Sequence, residues 1–273
     1  MSRQKRYLLQ ESDLPKQWYN IQADMPNKPL PPLNPATKRP VSVDDLARIF
    51  CKACAEQELD TKNAWIDIPE EVQDKYKYYR ATPLVRAYAL ENALGTPAHI
   101  YFKNESVNPL GSHKVNSALP QCYYCKEEGV TNVTTETGAG QWGAALSYAA
   151  SVYGLAAAVY QVKISMQQKP YRSLVMRAFG AAVTGSPSMS TRAGKDIITR
   201  DPLHQGSLGT AISEAVELAT TTPNCKYTLG SVLNHVTLHQ TIIGLEAEKQ
   251  MAMAEEYPDV VIGCFGGGSN FGG

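Results

Sequence analysis

The chain has 273 residues, with 26 lysines and arginines balancing 26 aspartates and glutamates, so its formal net charge is zero. That length can bury a substantial core, and the neutral balance excludes a strongly basic surface for nucleic acid or an anionic membrane. Residues 1–6 are charged and lead into no apolar stretch, and no run of about 18 apolar residues is present. We therefore expect a soluble cytoplasmic protein with neither nucleic-acid nor membrane partners.

The predicted elements begin after an irregular segment, residues 1–40, in which the prolines from Pro26 to Pro40 prevent a regular helix. A short helix over about residues 43–57 and a charged segment at 69–76 come next. From about residue 98 strands alternate with helices, which predicts a parallel sheet covered on both faces. The predicted strands are Ala98–Lys103, Val130–Thr135, Leu155–Val162, Ala181–Thr184, Lys226–Leu229 and Asp259–Cys264, and the main helices are Val115–Glu128, Gln141–Tyr153, Pro170–Phe179, Leu208–Thr221 and Val232–Glu256.

Two cysteine pairs, Cys51/Cys54 and Cys122/Cys125, have the CxxC spacing of zinc and redox sites. Each pair lies in a segment predicted to be helical, without the turn that a zinc knuckle uses. Because cysteine is a common small buried side chain, core packing is the preferred interpretation, and we expect no metal site.

His235 and His239 are four residues apart on a predicted helix, which is the spacing of a metal-binding pair. The glutamate of an HExxH motif is absent, because Val236 follows His235. Structural packing is again the preferred interpretation.

Lys114 follows Gly111-Ser112-His113 at the start of a predicted helix. The helix dipole disfavours added positive charge at that end, so the lysine pKa should be lowered. A lysine of lowered pKa is suited to form a Schiff base. An ordinary solvated lysine is the alternative.

The segment from Glu136 to Gly143 lies between a predicted strand and a predicted helix and matches GxGxxG, the dinucleotide fingerprint. That motif also requires an acidic residue near the end of the next strand, where this chain has Tyr160-Gln161-Val162-Lys163. The segment is therefore better interpreted as a carboxylate-binding loop at a helix N-terminus. Glu136, beside that loop, is a candidate acid–base residue.

The last predicted strand leads into Gly266-Gly267-Gly268-Ser269-Asn270. Consecutive glycines let backbone N–H groups converge on an anion, most often a phosphate. A Schiff-base lysine, a carboxylate loop, an acid–base glutamate and a phosphate loop together describe a pyridoxal-phosphate site that acts on an amino acid.

With these loops assembled, the sequence resembles the tryptophan synthase β chains, which are fold-type-II pyridoxal-phosphate enzymes, and in particular their second subgroup. The commoner subgroup has histidine where this chain has Trp142. The resemblance covers nearly the whole chain, and its motifs are Trp18–Asp24, Thr82–Leu84, Gly111–Lys114, Glu136–Gly143, Gln168–Arg172 and Gly230–Gln240.

The resemblance implies parallel three-layer αβα sheets and a β-replacement in which L-serine condenses with indole to L-tryptophan on pyridoxal 5'-phosphate. It implies that Lys114 binds the cofactor as a Schiff base and removes the serine α-proton. It also implies that Glu136 assists loss of the β-hydroxyl and steadies the attacking indole. The residues implied to bind the amino-acid carboxylate are Thr137, Gly138, Ala139, Gly140 and Gln141, and those implied to hold the cofactor phosphate are His113, Gly266, Gly267, Gly268, Ser269 and Asn270.

Two positions depart from the family pattern. Ala81 precedes Thr82-Pro83-Leu84 where relatives usually have proline. Pro120 lies inside the helix that follows Lys114, where an interior proline can cost about 3 kcal/mol. Either this helix is kinked and shifts Lys114, or it begins later than Val115.

The family continues beyond the position of Gly273, with another helix, more sheet and a serine that faces the pyridine nitrogen. We therefore expect the chain to be truncated at its C-terminus, to bind pyridoxal phosphate weakly and to turn over poorly on its own. The expected domains are an N-terminal extension with the start of the large domain at 1–95, an α/β domain with the lysine and carboxylate loop at 96–225, and the beginning of a cofactor-binding domain at 226–273.

Other fold-type-II activities stay open, namely those of threonine synthase, serine dehydratase and cysteine synthase. They share the lysine and the phosphate loop but lack Glu136–Gln141 in this form. Outside enzymology, the alternative is an inactive fragment that associates with an intact β chain. We expect small-molecule substrates and a homodimer, and the sequence leaves open phosphoserine as the donor and an α chain as a partner.

Overall fold

The structure is a computed structural model that describes residues 4–273, so the first three residues of the charged N-terminus lie outside the described part. Its strands are β1 (Arg6–Tyr7), β2 (Gln17–Tyr19), β3 (Trp65–Asp67), β4 (Leu84–Arg86), β5 (Tyr101–Lys103), β6 (Asn132–Thr137), β7 (Ala156–Val162), β8 (Ala182–Ser186) and β9 (Cys225–Tyr227). Its helices are α1 (Val43–Ala47), α2 (Lys52–Leu59), α3 (Glu70–Lys77), α4 (Tyr88–Leu94), α5 (Val115–Glu127), α6 (Gln141–Tyr153), α7 (Lys163–Gln168), α8 (Pro170–Ala178), α9 (Arg192–Arg200), α10 (Leu208–Thr221), α11 (Asn234–Gln240) and α12 (Ile242–Met253).

The central sheet has four parallel strands in the order β8-β7-β6-β9. Val133 and Val159 on one face join a core that includes α5 and α6, whereas Tyr160 and Tyr227 on the other face pack with α10. The predicted α/β class with helices on both faces of a parallel sheet is therefore confirmed. Because the carboxyl ends of parallel strands meet at one edge, the loops after β6 and β9 are neighbours there.

The strand predicted at Ala98–Lys103 does not belong to this sheet. Only Tyr101–Lys103 is extended, and it pairs antiparallel with β4, which in turn pairs antiparallel with β1. The prediction that this strand joins the parallel sheet is therefore wrong. The local sequence pattern indicates a strand but not which strand lies beside it.

The predicted strand Asp259–Cys264 is absent from the structure, and its apolar residues Val260, Val261 and Ile262 are 69–92% exposed. β-Branched residues favour a strand only when a neighbour accepts the backbone hydrogen bonds. Within residues 4–273 no strand pairs with this segment.

Two predicted helices are each divided in two. The helix predicted at about 43–57 is interrupted between Ala47 and Lys52, so Cys51 precedes α2 instead of lying within a helix. The helix predicted at Val232–Glu256 is divided at Thr241, which accepts a hydrogen bond from the backbone N–H of Tyr19 at 3.0 Å.

The helix after Lys114 begins at Val115 and includes Pro120, so the second of the two alternatives, a later start, is wrong. Lys114 is the residue immediately before the helix and lies in the right-handed helical region, with φ −64° and ψ −24°. Within residues 4–273 no helix has both the length and the apolarity to cross a membrane.

Candidate active site

Lys114 is held between two loops at the carboxyl edge of the central sheet. Its Nζ donates to the backbone carbonyl of Gly230 at 2.7 Å and to Ser269 Oγ at 3.4 Å. Burial lowers the pKa of Lys114, and the nearby charge of Glu136 opposes that shift. The amine is therefore easier to deprotonate than that of a solvated lysine, which suits it to bond with a carbonyl carbon.

The glycine loop at residues 266–270 packs on the segment after β9. The N–H of Val232 donates to the carbonyl of Gly267 at 2.9 Å, and the N–H of Ser269 donates to Ser231 Oγ at 3.3 Å. A Cβ built on Gly267 would come within 2.3 Å of Ser231 Oγ, whereas one on Gly266 would meet nothing within 4 Å. Glycine is therefore required at 267 by the approach of two loops.

Of the residues predicted to hold a phosphate, Ser269 and Asn270 have different surroundings. Ser269 is buried and its hydroxyl lies beside Lys114. Asn270 Oδ1 accepts from the backbone N–H of Cys264 at 3.0 Å, so this side chain closes the loop on itself. Gly268 has φ +96°, a left-handed conformation that favours glycine.

His113 lies next to Lys114 and reaches the same serine, with Nε2 3.1 Å from Ser269 Oγ. Burial and the charge of Lys114 lower the pKa of His113 to about 4. The imidazole is therefore neutral at physiological pH and contributes a hydrogen bond, not a charge, to this part of the site.

Glu136 is on β6 and is only 5% exposed. Burial raises its pKa to about 7, against the opposing effects of a hydrogen bond from Tyr227 and the charge of Lys114. The hydroxyl of Tyr227, on β9, contacts Oε2 of Glu136. A carboxyl with this pKa can both donate and accept a proton near neutral pH.

The predicted carboxylate loop connects the end of β6 to the N-terminus of α6. Thr137 ends the strand, Gly140 precedes the helix with φ +99°, and Gln141 is its first residue. The Thr137 hydroxyl accepts from the N–H of Gly143 at 3.2 Å and so caps the helix. The first N–H groups of a helix have no intrahelical partners, so they can bind an anion at this loop. Gly138 and Ala139 lie between the strand and the helix.

Trp142, from the same helix, links the two loops beside Lys114. Its Nε1 donates to Thr135 Oγ1 at 2.6 Å, and that hydroxyl donates to the carbonyl of Thr228 at 2.6 Å. A Cβ built on Gly230 would come within 2.3 Å of the Trp142 ring. The first turn of α6, directly after the carboxylate loop, is therefore in contact with the backbone that holds Lys114.

The histidine pair lies in the core. His235 Nδ1 is 2.9 Å from Glu58 Oε2, and His239 is hydrogen-bonded to Ser117 and Gln57. Both imidazoles are at most 1% exposed. These contacts confirm packing as the role of the pair.

The four CxxC cysteines are not joined in disulfides and are buried in the core that contains α5 and α6. Burial raises the pKa of the Cys122 thiol, so it stays protonated. Within the described part of the chain, no group of three or more histidine, cysteine or acidic side chains can hold a metal ion.

The sequence predicts Lys114, Glu136 and the glycine loop as site residues, but it does not predict the contact between Tyr227 and Glu136. The motif at Gly230–Gln240 includes Gly230 and Ser231, but the sequence does not predict that Gly230 contacts Lys114 or that Ser231 contacts Ser269. Two cavities, of about 220 and 780 Å³, lie elsewhere, beside α11 and α12 and between residues 11–16 and α3. Neither cavity is lined by Lys114 or Glu136. The candidate site is therefore located by the hydrogen-bonding groups around Lys114 and not by a cavity.

The family model described as "Pyridoxal-phosphate dependent enzyme" matches residues 76–273. The chain is 55% identical over 265 residues to the tryptophan synthase beta chain 2 of Thermotoga maritima, covering 97% of this chain and 63% of that one. It is 54% identical to the protein of the same name from Aquifex aeolicus, with coverages of 98% and 62%. The chain thus spans about three-fifths of the length of these relatives.

Two solved structures share the fold. Diaminopropionate ammonia lyase from Escherichia coli, in its apo form, aligns with a TM-score of 0.54 and 18% identity over 69% of this chain and 52% of that one. A pyridoxal 5'-phosphate-dependent aspartate racemase aligns with a TM-score of 0.50 and 24% identity, over 67% and 50% of the two chains. At these identities the likeness concerns the fold alone.

Proposed function

The chain belongs to the pyridoxal-phosphate dependent enzymes, and from this premise we propose that it carries out a tryptophan synthase β-type reaction, replacing the β-hydroxyl of L-serine by indole. The observation that carries the proposal is the position of Lys114, whose amine contacts Gly230 and Ser269 and whose charge acts on Glu136. The tryptophan synthase β chains at 53–55% identity support the choice of reaction.

The residues around Lys114 fit the chemistry of pyridoxal phosphate. The lysine amine has a lowered pKa, and beside it lies a glycine loop that cannot accept a side chain at Gly267. Backbone N–H groups of that loop, the Ser269 hydroxyl and neutral His113 would hold the phosphate. When bound, this cofactor supplies an electron sink for negative charge at the α-carbon of an amino acid.

The amino-acid substrate would be oriented by its carboxylate. The turn from Thr137 to Gln141 presents free backbone N–H groups at the N-terminus of α6, where the helix dipole also favours an anion. Gly143 holds this helix close to the sheet, because a Cβ there would come within 2.9 Å of Val159 and within 2.5 Å of Met176. The anion site is therefore fixed against the sheet that carries Glu136.

Two groups would move the protons of the reaction. Lys114, whose pKa is lowered by burial, takes the proton from the α-carbon of serine and gives a proton back to the α-carbon after the new carbon–carbon bond has formed. Glu136, with a pKa of about 7, gives a proton to the departing β-hydroxyl, which leaves as water, and then accepts the proton that indole loses as the new carbon–carbon bond forms. Serine and indole are thereby converted to tryptophan and water.

We also propose a homodimer, a cytoplasmic location and a domain division at residues 95/96 and 225/226. An α-chain partner stays open. The substrates we propose are small molecules, because the donor groups of the site match a phosphate, a carboxylate and an amine.

The test is product formation by the purified chain with pyridoxal phosphate, serine and one of three acceptors, namely indole, sulfide or water. We expect tryptophan from indole and little cysteine or pyruvate. Lys114→Ala should abolish the absorbance band of the lysine-bound cofactor, whereas Lys195→Ala, at an exposed lysine on α9, should retain it. Persistence of the band in Lys114→Ala, or pyruvate as the main product, would contradict the proposal.

A further inference from the structure

The partner of Glu136 on the neighbouring strand is Tyr227. Because β9 pairs in parallel with β6, Tyr227 lies opposite Thr134, two residues before Glu136 on the same face of the sheet. Its hydroxyl contacts Glu136 Oε2. Tyr227 itself is only 4% exposed.

The phenol ring of Tyr227 is fixed on several sides. Its backbone N–H donates to the carbonyl of Ile49 at 2.8 Å, and its ring centroid is 5.6 Å from that of Phe50. The ring also belongs to the core cluster that contains Tyr160 and Ala211. Burial and the charge of Glu136 raise the pKa of the Tyr227 hydroxyl, so it remains a hydrogen-bond donor at neutral pH.

We propose that Tyr227 is a positioning residue for Glu136, holding carboxyl oxygen Oε2 through its hydroxyl and thereby fixing the orientation in which Glu136 meets the substrate. The catalytic consequence rests on the proposed function, whereas the pairing itself is a property of this chain's own residues. A carboxyl group held at one oxygen by a rigid donor has fewer orientations available than one facing solvent.

The same hydrogen bond also affects the protonation of Glu136. The groups that act on this carboxyl are Tyr227 on β9, Lys114 before α5 and the hydroxyl of the adjacent Thr135. Tyr160 on β7 is the register partner of Glu136 across the strand pair. A hydroxyl that donates to a carboxylate stabilises the charged form, so Tyr227 opposes the effect of burial. Without it, Glu136 would hold its proton more tightly and would be less often ionised at neutral pH.

The test compares Tyr227→Phe with Tyr153→Phe in the cofactor-free protein. Phenylalanine retains the ring against Phe50 and removes only the hydroxyl. Tyr153 is the matched control, because its buried hydroxyl has no hydrogen-bond partner within residues 4–273. Titration of ¹³C-labelled glutamate by NMR, with the Glu136 signal assigned from Glu136→Gln, gives the carboxyl pKa directly.

We expect Tyr227→Phe to raise the pKa of Glu136 by roughly one to two, because this is the pKa change that corresponds to the loss of one hydrogen bond to a charged group. Tyr153→Phe should leave it unchanged. An unchanged pKa in Tyr227→Phe, or an equal shift in both variants, would overturn the proposal, because either result would make Tyr227 an ordinary core residue.

A second measurement does not depend on the folding of Tyr227→Phe. In the native sequence, the ¹³C signal of the Tyr227 phenol carbon should step in frequency as Glu136 titrates, and the step should vanish in Glu136→Gln. Absence of the step in the native chain would overturn the pairing. If the chain forms tryptophan, the acidic limb of the kcat–pH profile should shift in Tyr227→Phe by the same amount as the Glu136 pKa measured by NMR. If the chain forms no tryptophan, the proposed reaction fails, but the NMR result still decides whether Tyr227 and Glu136 are paired.

Discussion

The hydroxyl of Tyr76 lies 2.5 Å from the backbone carbonyl oxygen of Asn116. That carbonyl would ordinarily accept from the N–H four residues later, but residue 120 is proline and has none. Tyr76, at the end of α3, therefore supplies the donor that the proline removes. The hydrogen bond lets α5 run without interruption from Val115, directly after Lys114.

This relationship predicts an energetic coupling between Tyr76 and Pro120. Tyr76→Phe should lower the free energy of unfolding by about 1–3 kcal/mol, because it leaves a buried carbonyl without a donor. In a Pro120→Ala background the same change should cost less, because the substituted residue has a backbone N–H that can donate to that carbonyl. Urea unfolding of the two single variants and the double variant measures the coupling.

Tyr78→Phe is the control for that experiment, since Tyr78 follows the same helix but is 76% exposed. It should change stability by less than about 0.5 kcal/mol. Additive costs for Tyr76→Phe and Pro120→Ala would show that the hydroxyl does not replace the missing N–H.

The glycine loop should respond differently at two adjacent positions. Gly267→Ala places a methyl group 2.3 Å from Ser231 Oγ, whereas Gly266→Ala meets nothing within 4 Å. We expect Gly267→Ala to weaken the binding of pyridoxal phosphate by on the order of tenfold or more, and a tenfold loss corresponds to about 1.4 kcal/mol. Gly266→Ala should change the affinity little. Absorbance titration with the cofactor measures both, and equal affinities would contradict the packing described for this loop.

The pKa of Glu136 gives the protein a pH-dependent stability. Burial raises it from 4.5 in a free side chain to about 7, so the folded state binds the proton more tightly than the unfolded state does. The stabilising contribution is complete below pH 4.5 and is lost as pH rises through 7. Glu136→Gln should therefore gain about 3 kcal/mol relative to the native chain between roughly pH 4.5 and pH 8.

Denaturant unfolding at several pH values checks this prediction. Glu248→Gln, at an exposed position on α12, serves as the control and should show the same pH dependence as the native chain. If Glu136→Gln and the native chain lose stability in parallel above about pH 5, Glu136 is not a buried carboxyl with a raised pKa.

A buried charge network connects the N-terminal region to α12. Arg80 donates to Glu246 at 2.5 and 2.8 Å, and Lys103 donates to the same carboxylate at 2.6 Å. Arg80 also binds Glu105, and although burial alone would raise the Glu105 pKa, the Arg80 charge and the hydrogen bonds lower it to about 2. The side chains of Arg80 and Glu246 are both 0% exposed.

Removing one member of this network should be costly, because it leaves buried positive charge without its partner. We expect Glu246→Gln to lower the free energy of unfolding by about 3–5 kcal/mol. The exposed pair of Lys52 and Glu56, 3.8 Å apart, is the comparison, and Glu56→Gln should cost less than about 1 kcal/mol. Similar costs for the two variants, measured by guanidinium unfolding, would contradict the importance of burial.

Local signals in the sequence were sufficient for some elements. Helix α6 begins after Gly140 and ends before Gly154, and α10 begins after the capping box of Ser207, so both have the bounds that the sequence predicts. The same local signals did not predict which strands pair with each other. The short strand β5 joins an antiparallel sheet because it pairs with β4. Helix α4 separates the two strands along the chain, so their pairing cannot be read from the periodicity of either segment.

The candidate site shows the same division. Lys114 and the glycine loop are recognisable because lysine at a helix start and consecutive glycines have direct chemical meanings. Tyr227 is not, because its contact with Glu136 exists only once β9 lies beside β6. Buried tyrosines are common, and only the neighbour on the adjacent strand distinguishes this one.

Trp142 also gives the protein an intrinsic optical signal. Its indole is 5% exposed and lies against Gly230, whose carbonyl binds the Lys114 amine, whereas Trp18 is fully buried elsewhere and Trp65 is half exposed. A bound chromophore that absorbs in the near ultraviolet would quench the emission of Trp142 by energy transfer. Occupancy of the site can therefore be followed by fluorescence, without a label and before any product is formed.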